Sequence, residues 1–184
     1  MEKQELPKIM PPESRQLCET NRIMPLDHYT PKASQLILKN CTSVATACKT
    51  HTPSLARLRK EYSPEKIHAL VASYLIDFSL LLGLKRPLNE VQIEFIANEI
   101  VTNYWYFTIA DINVIFRRAK SGYYGEFYES VNPPKILTWF SQYESEKDQH
   151  CIDVNINESS RLRGRDERRG QSFESIMKNF KTNK

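Results

Sequence analysis

Glycine is scarce in this chain, five among 184 residues, and the ten prolines gather in the N-terminal lead or where helices would begin. A sheet protein built on many tight turns needs the opposite distribution, so an all-β fold is disfavoured. Long apolar runs are missing too. The longest, around SYLIDFSLLLGL, is interrupted by Asp77 and Gly83. It falls short of the roughly 20 residues that span a bilayer, so no transmembrane segment is expected. The opening MEKQELPKIMPPE has no apolar h-region. A secretory signal is therefore not expected, and a cytoplasmic location is.

Cysteine is equally sparse: Cys18, Cys41, Cys48 and Cys151 are spread over the chain. A helix holding both Cys41 and Cys48 would set their α-carbons about 10 Å apart, beyond disulfide reach, which makes reduced thiols the simplest account. Cys48 and His51 have a C-x-x-H spacing that zinc accepts, but His150 and Cys151 are adjacent and about a hundred residues away, an awkward second pair, so no metal is assigned. Phosphate-cradling loops are also lacking, since neither G-x-x-x-x-G-K-[ST] nor G-x-G-x-x-G occurs. H-E-x-x-H, G-x-S-x-G and the H-x-E with C-x-x-C pairing are likewise missing. Glu94, Glu99 and Asp111 read as solvated helix carboxylates, and His68 as a boundary residue. A non-enzymatic protein without a cofactor is expected.

What is present describes one soluble all-α domain with two ends of different texture. Charged residues make up 26% and hydrophobic residues 40%, as in ordinary globular chains. Residues 1–30 mix four prolines with charges and read as an extended lead, with one helical turn near ESRQLCETN. Residues 31–150 carry the helical patterns. Pro31 to Lys49 reads as a helix, with Leu36, Ile37, Cys41, Val44, Ala45 and Cys48 near one face. Thr52 before Pro53, and Ser63 before Pro64, are hydroxyl caps followed by a proline at the first helical position. Behind Ser63, Ile67, Leu70, Val71, Tyr74, Leu75, Phe78, Leu81 and Leu82 recur every three or four positions up to Gly83, marking the core helix.

Asn89 with Gln92 predicts a capping box and a helix to about Asn103 carrying Val91, Phe95, Ile96, Ile100 and Val101. Thr108 with Asp111 predicts the next helix start, with Ile109, Ile112, Ile115, Phe116 and Ala119 inward and Gly122 as the stop. Asn132 and two prolines open a last core helix, to about Asp148, with Ile136, Leu137, Phe140 and Tyr143 along one side.

Between these helices, Gly122 and Gly125 bracket Tyr123 and Tyr124, and Arg117, Arg118 and Lys120 stand just before them. Two readings stay open. The aromatics pack over helix ends, or they form a platform that stacks bases while the cations hold phosphates.

Residues 151–184 read as a basic linker ending in a short amphipathic helix. Arg161, Arg163, Arg165, Arg168 and Arg169, with Lys178, Lys181 and Lys184, face only Asp166, Glu167 and Glu174, a surplus larger than the net +4 of the whole chain. Such a segment either neutralises phosphates without sequence preference or serves only as a solubilising tail, and both readings stay open. Phe173, Ile176, Met177 and Phe180 then fall at i, i+3, i+4 and i+7. A helix that short must dock on something, either a groove of its own domain or another protein, and a protein partner is the expectation adopted.

The stretch LNEVQIEFIANEIVTNYWYFTIADINVIFRRAKSGYYGEFYESVNPPKILTWFSQYESEK, with its TIADI start, its repeated glycine-aromatic motif and its closing I-L-x-W-F-x-x-Y, resembles a grouping of small helical proteins encoded by bacterial phages and mobile elements. The resemblance runs from Ile67 to Glu146, a little under half the chain, and implies an accessory role in DNA replication, with no catalytic residues to carry over. In layout the chain is also similar to phage helicase loaders, which join a small helical domain to a C-terminal segment that engages the replicative helicase. Together these imply an adaptor whose partner is such a helicase. A nucleic-acid-binding regulator and a structural virion protein are the rival expectations.

Overall fold

The computed structural model describes residues 23–83, 86–125 and 131–182, with side chains through Arg161. The lead over residues 1–22, with its expected turn, and Phe127 and Tyr128 of the aromatic stretch lie outside the described residues. Among the described residues, seven α-helices follow a 3-10 turn at Leu26–Tyr29: α1 Pro31–Ile37, α2 Val44–Lys49, α3 Leu55–Glu61, α4 Pro64–Leu82, α5 Glu90–Asn103, α6 Ile109–Lys120 and α7 Pro133–Thr182. No strand occurs among the described residues; an isolated bridge joins Ser54 and Thr108. The fold is all-α, as the scarcity of glycine implied. The chain divides into two units, Met1–Gln142 and Tyr143–Lys184.

Helix starts in the first unit follow their caps. Asn89 Oδ1 accepts from Gln92 N at 2.8 Å while Gln92 Oε1 accepts from Asn89 N at 3.1 Å. Thr108 Oγ1 accepts from Asp111 N at 3.3 Å, and Asp111 Oδ2 accepts from Thr108 N at 2.8 Å. Both are reciprocal boxes that satisfy amides otherwise orphaned at a helix start. Ser63 caps α4, Pro64 opens it, and Gly83, at φ 57°, ends it in the left-handed conformation.

The starts of α3 and α6 are also tied to each other. The Leu55 and Ala56 amides donate to the Phe107 and Trp105 carbonyls at 2.9 and 2.8 Å; in return, the Ile109 and Ala110 amides donate to the Pro53 carbonyl at 3.1 Å and Thr52 Oγ1 at 3.0 Å. Two helix N-termini thus supply one another's missing acceptors. The expected helix start at Thr52 and Pro53 moves to Ser54, whose Oγ accepts from Arg57 N. Thr52 caps a helix 58 residues away instead.

Burial follows the predicted stripes on α4 and α6. Ile67, Leu70, Val71, Tyr74, Leu75 and Phe78 are buried, as are Ile109, Ile112, Ile115, Phe116 and Ala119. Phe116 joins them, with ring centroids 5.6 Å from Tyr74 and 5.9 Å from Phe78, and Phe78 meets Trp139 edge-on at 5.2 Å. Each such ring contributes roughly 2–3 kcal/mol of burial, with about 1 kcal/mol more from ring geometry.

Several expectations are corrected. The single helix over Pro31 to Lys49 is two short ones, because Ser43 and Thr46 make a capping box that restarts the chain at Val44. Cys41 and Cys48 therefore share no helix. Leu36, Ile37 and Leu81 are exposed. On α5, Val91 and Phe95 are 74% and 51% exposed while Ile96, Ala97, Ile100 and Val101 are buried. Its main neighbour is α4, and one neighbour covers only one arc of a helix. Residues 23–30 are not extended lead throughout: Tyr29 is buried, its carbonyl accepts from Tyr74 Oη at 2.9 Å, and Tyr62 Oη donates to the Met24 carbonyl at 2.7 Å.

The second unit is helical through Thr182, so α7 does not stop near Asp148, and the backbone expected as a linker is helix. Every residue from Cys151 to Arg161 is exposed. No helix among the described residues is long and apolar enough to cross a membrane.

Candidate functional site

The C-terminal end of α6 gathers the cations singled out from the sequence. Helix α6 ends in a paired capping motif. The Gly122 amide donates to the Ala119 carbonyl at 3.1 Å and the Tyr123 amide to the Arg118 carbonyl at 2.9 Å, with Gly122 at φ 78°. That geometry requires a residue without a Cβ penalty at Gly122, and it fixes the direction in which the tyrosines leave. Arg117, Arg118 and Lys120 in the last turn complement the negative helix end.

The five residues fall into three settings. Tyr124 stacks on Trp139 at 5.6 Å and 11°, which is packing over a helix end. Tyr123, 63% exposed, carries the Arg118 guanidinium 4.6 Å over its ring. Arg117 and Lys120 turn the other way. Arg117 Nη1 donates to the Lys39 and Cys41 carbonyls at 2.7 and 3.1 Å, and Lys120 Nζ pairs with Asp77 at 2.5 Å.

Those two cations border a cleft of about 540 Å³ whose walls are α1 and α6 and whose floor includes Tyr74 of α4. Lys32, Gln35 and Leu36 come from α1, and Asn113 and Phe116 from α6. The Asn113, Phe116, Arg117, Lys120 spacing of i, i+3, i+4, i+7 puts all four on one helix face. Asp77 also accepts from Gln35 Nε2 at 3.4 Å, so a single carboxylate orients two cleft residues. Tyr74 is held below them through Tyr29 and Ser34, and burial raises its phenol well above the ordinary range.

Asn113 is the odd member. It is 4% exposed, and its Nδ2 has no hydrogen-bond partner among the described residues. An unpaired buried donor costs about 1–3 kcal/mol. The sequence carried a trace of it: Asn113 is the polar residue inside the Ile109, Ile112, Phe116 stripe. Lys32 and Gln35 left no such trace, because only packing of α1 against α6 brings them to this cleft.

Asp111, expected to be solvated, is buried, and Asp111, Glu99 and His68 have structural occupations. Asp111 caps α6, Glu99 Oε2 accepts from Asn103 Nδ2 at 2.9 Å, and His68 Nε2 lies 3.2 Å from the Glu94 carbonyl. A second groove, about 640 Å³, runs beside the exposed Val91 and Phe95.

The basic segment lies in the second unit. Arg161, Arg163, Arg165, Arg168, Arg169, Phe173, Ile176, Met177 and Phe180 all fall within α7, and from Arg163 onward their side chains lie outside the described structure. The sequence of this unit is segregated by charge. Between Tyr143 and Ser160 stand Glu144, Glu146, Asp148, Asp153 and Glu158 against Lys147, and from Arg161 the surplus reverses. Comparison with family models, with curated proteins and with solved structures finds no match to this chain.

Proposed function

We propose that the protein is a non-enzymatic accessory of DNA replication, an adaptor of helicase-loader type that engages a protein partner through its C-terminal helix. The observation that carries this reading is the exposure of α7 from Cys151 to Arg161, where Ile152 and Ile156 stand open to solvent ahead of the arginine cluster. The second unit is some 60 Å of helix at 1.5 Å per residue. It contains Gly164 and Gly170, each unfavourable by about 1 kcal/mol in a helix interior. A solvated helix of that composition gains most from a surface on which to lie, and the Phe173, Ile176, Met177 and Phe180 stripe supplies the apolar contact. The arginines supply charge that steers association with a nucleoprotein.

The test compares the full chain with one ending at Glu158, each mixed with a purified bacterial replicative helicase in sedimentation velocity. The full chain is expected to co-sediment and the shortened chain to remain apart, with thermal unfolding of the first unit nearly unchanged. Immediate unfolding of the shortened chain, or undiminished binding by it, refutes the reading.

The exposed Tyr123, with the Arg118 guanidinium over its ring, favours a second reading, a regulator that contacts nucleic acid directly. Filter binding against salt separates the two. A steep slope that survives loss of the tail supports the regulator.

A further inference from the structure

We propose that the cleft between α1, α4 and α6 is a binding site for a phosphomonoester of nucleotide size. It is independent of the tail reading, since every residue it uses lies in the first unit.

Charge selects the ligand class. Lys120 is compensated by Asp77, whereas Lys32 has no ion pair among the described residues and Arg117 has only carbonyl partners, both through Nη1. Two positive charges are therefore left facing the cleft. A phosphomonoester carries about −1.5 to −2 at neutral pH and a diester only about −1, so the monoester is the better match. The remaining guanidinium nitrogens of Arg117 supply donors in the fixed fork that suits phosphate oxygens. Lys120 Nζ keeps two of its three protons beyond the one given to Asp77.

The unpaired Asn113 Nδ2 is the independent sign of a ligand. It is a buried donor lining a cleft rimmed by cations, where an acceptor oxygen would complete it. Size and lining exclude an ion alone as the fitted occupant. About 540 Å³ lies within the range of small-molecule sites. Leu36, 78% exposed, gives an apolar lip beside the charged rim, with Phe116 and Tyr74 beneath. A sugar and base attached to the phosphate would cover that lip.

Isothermal titration of the full chain tests this with a nucleoside 5′-monophosphate, its methyl ester, the unphosphorylated nucleoside and inorganic phosphate. The monophosphate is expected to bind at one site per chain, at least about tenfold more tightly than its methyl ester or inorganic phosphate, with the nucleoside weaker still. Lys32→Glu reverses an exposed charge that holds no ion pair or hydrogen bond among the described residues, and Asn113→Leu removes the donor while keeping the branched side-chain shape. Each should weaken binding by about tenfold or more, with circular dichroism confirming the fold. Replacing Arg161, Arg163 and Arg165 together by glutamine should leave the affinity unchanged, which separates the cleft from the basic tail. Equal binding of monoester and methyl ester overturns the proposal, as does binding that Lys32→Glu and Asn113→Leu leave intact or that the tail substitutions abolish. So does the lack of any heat at millimolar monophosphate.

Discussion

Thr52→Val tests whether the mutual capping of α3 and α6 stabilises the first unit. The substitution keeps the β-branched shape and removes only the hydroxyl oxygen that accepts from Ala110 N at 3.0 Å. Ala110 is fully buried, so its amide has no solvent to turn to. An orphaned buried donor costs about 1–3 kcal/mol, and with partial relaxation a loss of about 2 kcal/mol is expected. For a unit of this size 1 kcal/mol corresponds to roughly 3 °C, which places the fall in Tm near 6 °C. Differential scanning calorimetry, with urea unfolding to give the free energy directly, measures it. Thr138→Val is the control, because that hydroxyl donates to the Pro134 carbonyl on an exposed helix surface and its loss should stay within about 0.5 kcal/mol. If Thr52→Val and Thr138→Val unfold within 1 °C of one another by any such scan, roughly the scatter of exposed substitutions, the cross-cap adds nothing and the account of α6 initiation is wrong.

Two further outcomes follow from the same geometry. A double-mutant cycle of Asp77→Ala and Lys120→Ala should give a coupling of about 1 kcal/mol, the upper end for an ion pair with solvent access; equilibrium urea curves check it, and a coupling near zero would show the pair to be incidental. Gly83→Ala should cost roughly 1 kcal/mol by thermal unfolding through the left-handed φ, since beyond its chain neighbours a Cβ there would meet no atom of the described residues within 4 Å; a neutral result would mean that the end of α4 relaxes.

Local chemistry made much of the fold legible. The Asn89 and Gln92 box, the Thr108 and Asp111 box, Ser63 with Pro64, and the stops at Gly83 and Gly122 are all settled within a few residues, where a side-chain oxygen and a nearby amide must find each other. Burial was less legible. Val91, Phe95, Leu36 and Leu81 are as apolar as their buried neighbours, and a periodic pattern does not say how wide an arc the neighbouring helices cover. The break between α1 and α2 is hidden in the periodicity, because Ser43 and Thr46 form a fresh cap inside an otherwise helical pattern.

The candidate cleft was half visible. Arg117 and Lys120 stood out as charge, and Asp77 stood out only as an interruption of an apolar run. That Asp77 orients Lys120 and Gln35 depends on contacts across more than forty residues of chain. The same is true of Thr52, which local spacing assigned to its own helix and packing assigned to another. The sequence by itself determined the helices from Pro64 to Lys120 in the first unit and their ends, because caps and periodicity act over single turns. Tertiary structure decided which apolar stripes are covered, which cation is neutralised and which buried amide is left unpaired, because each depends on a neighbour distant in the chain.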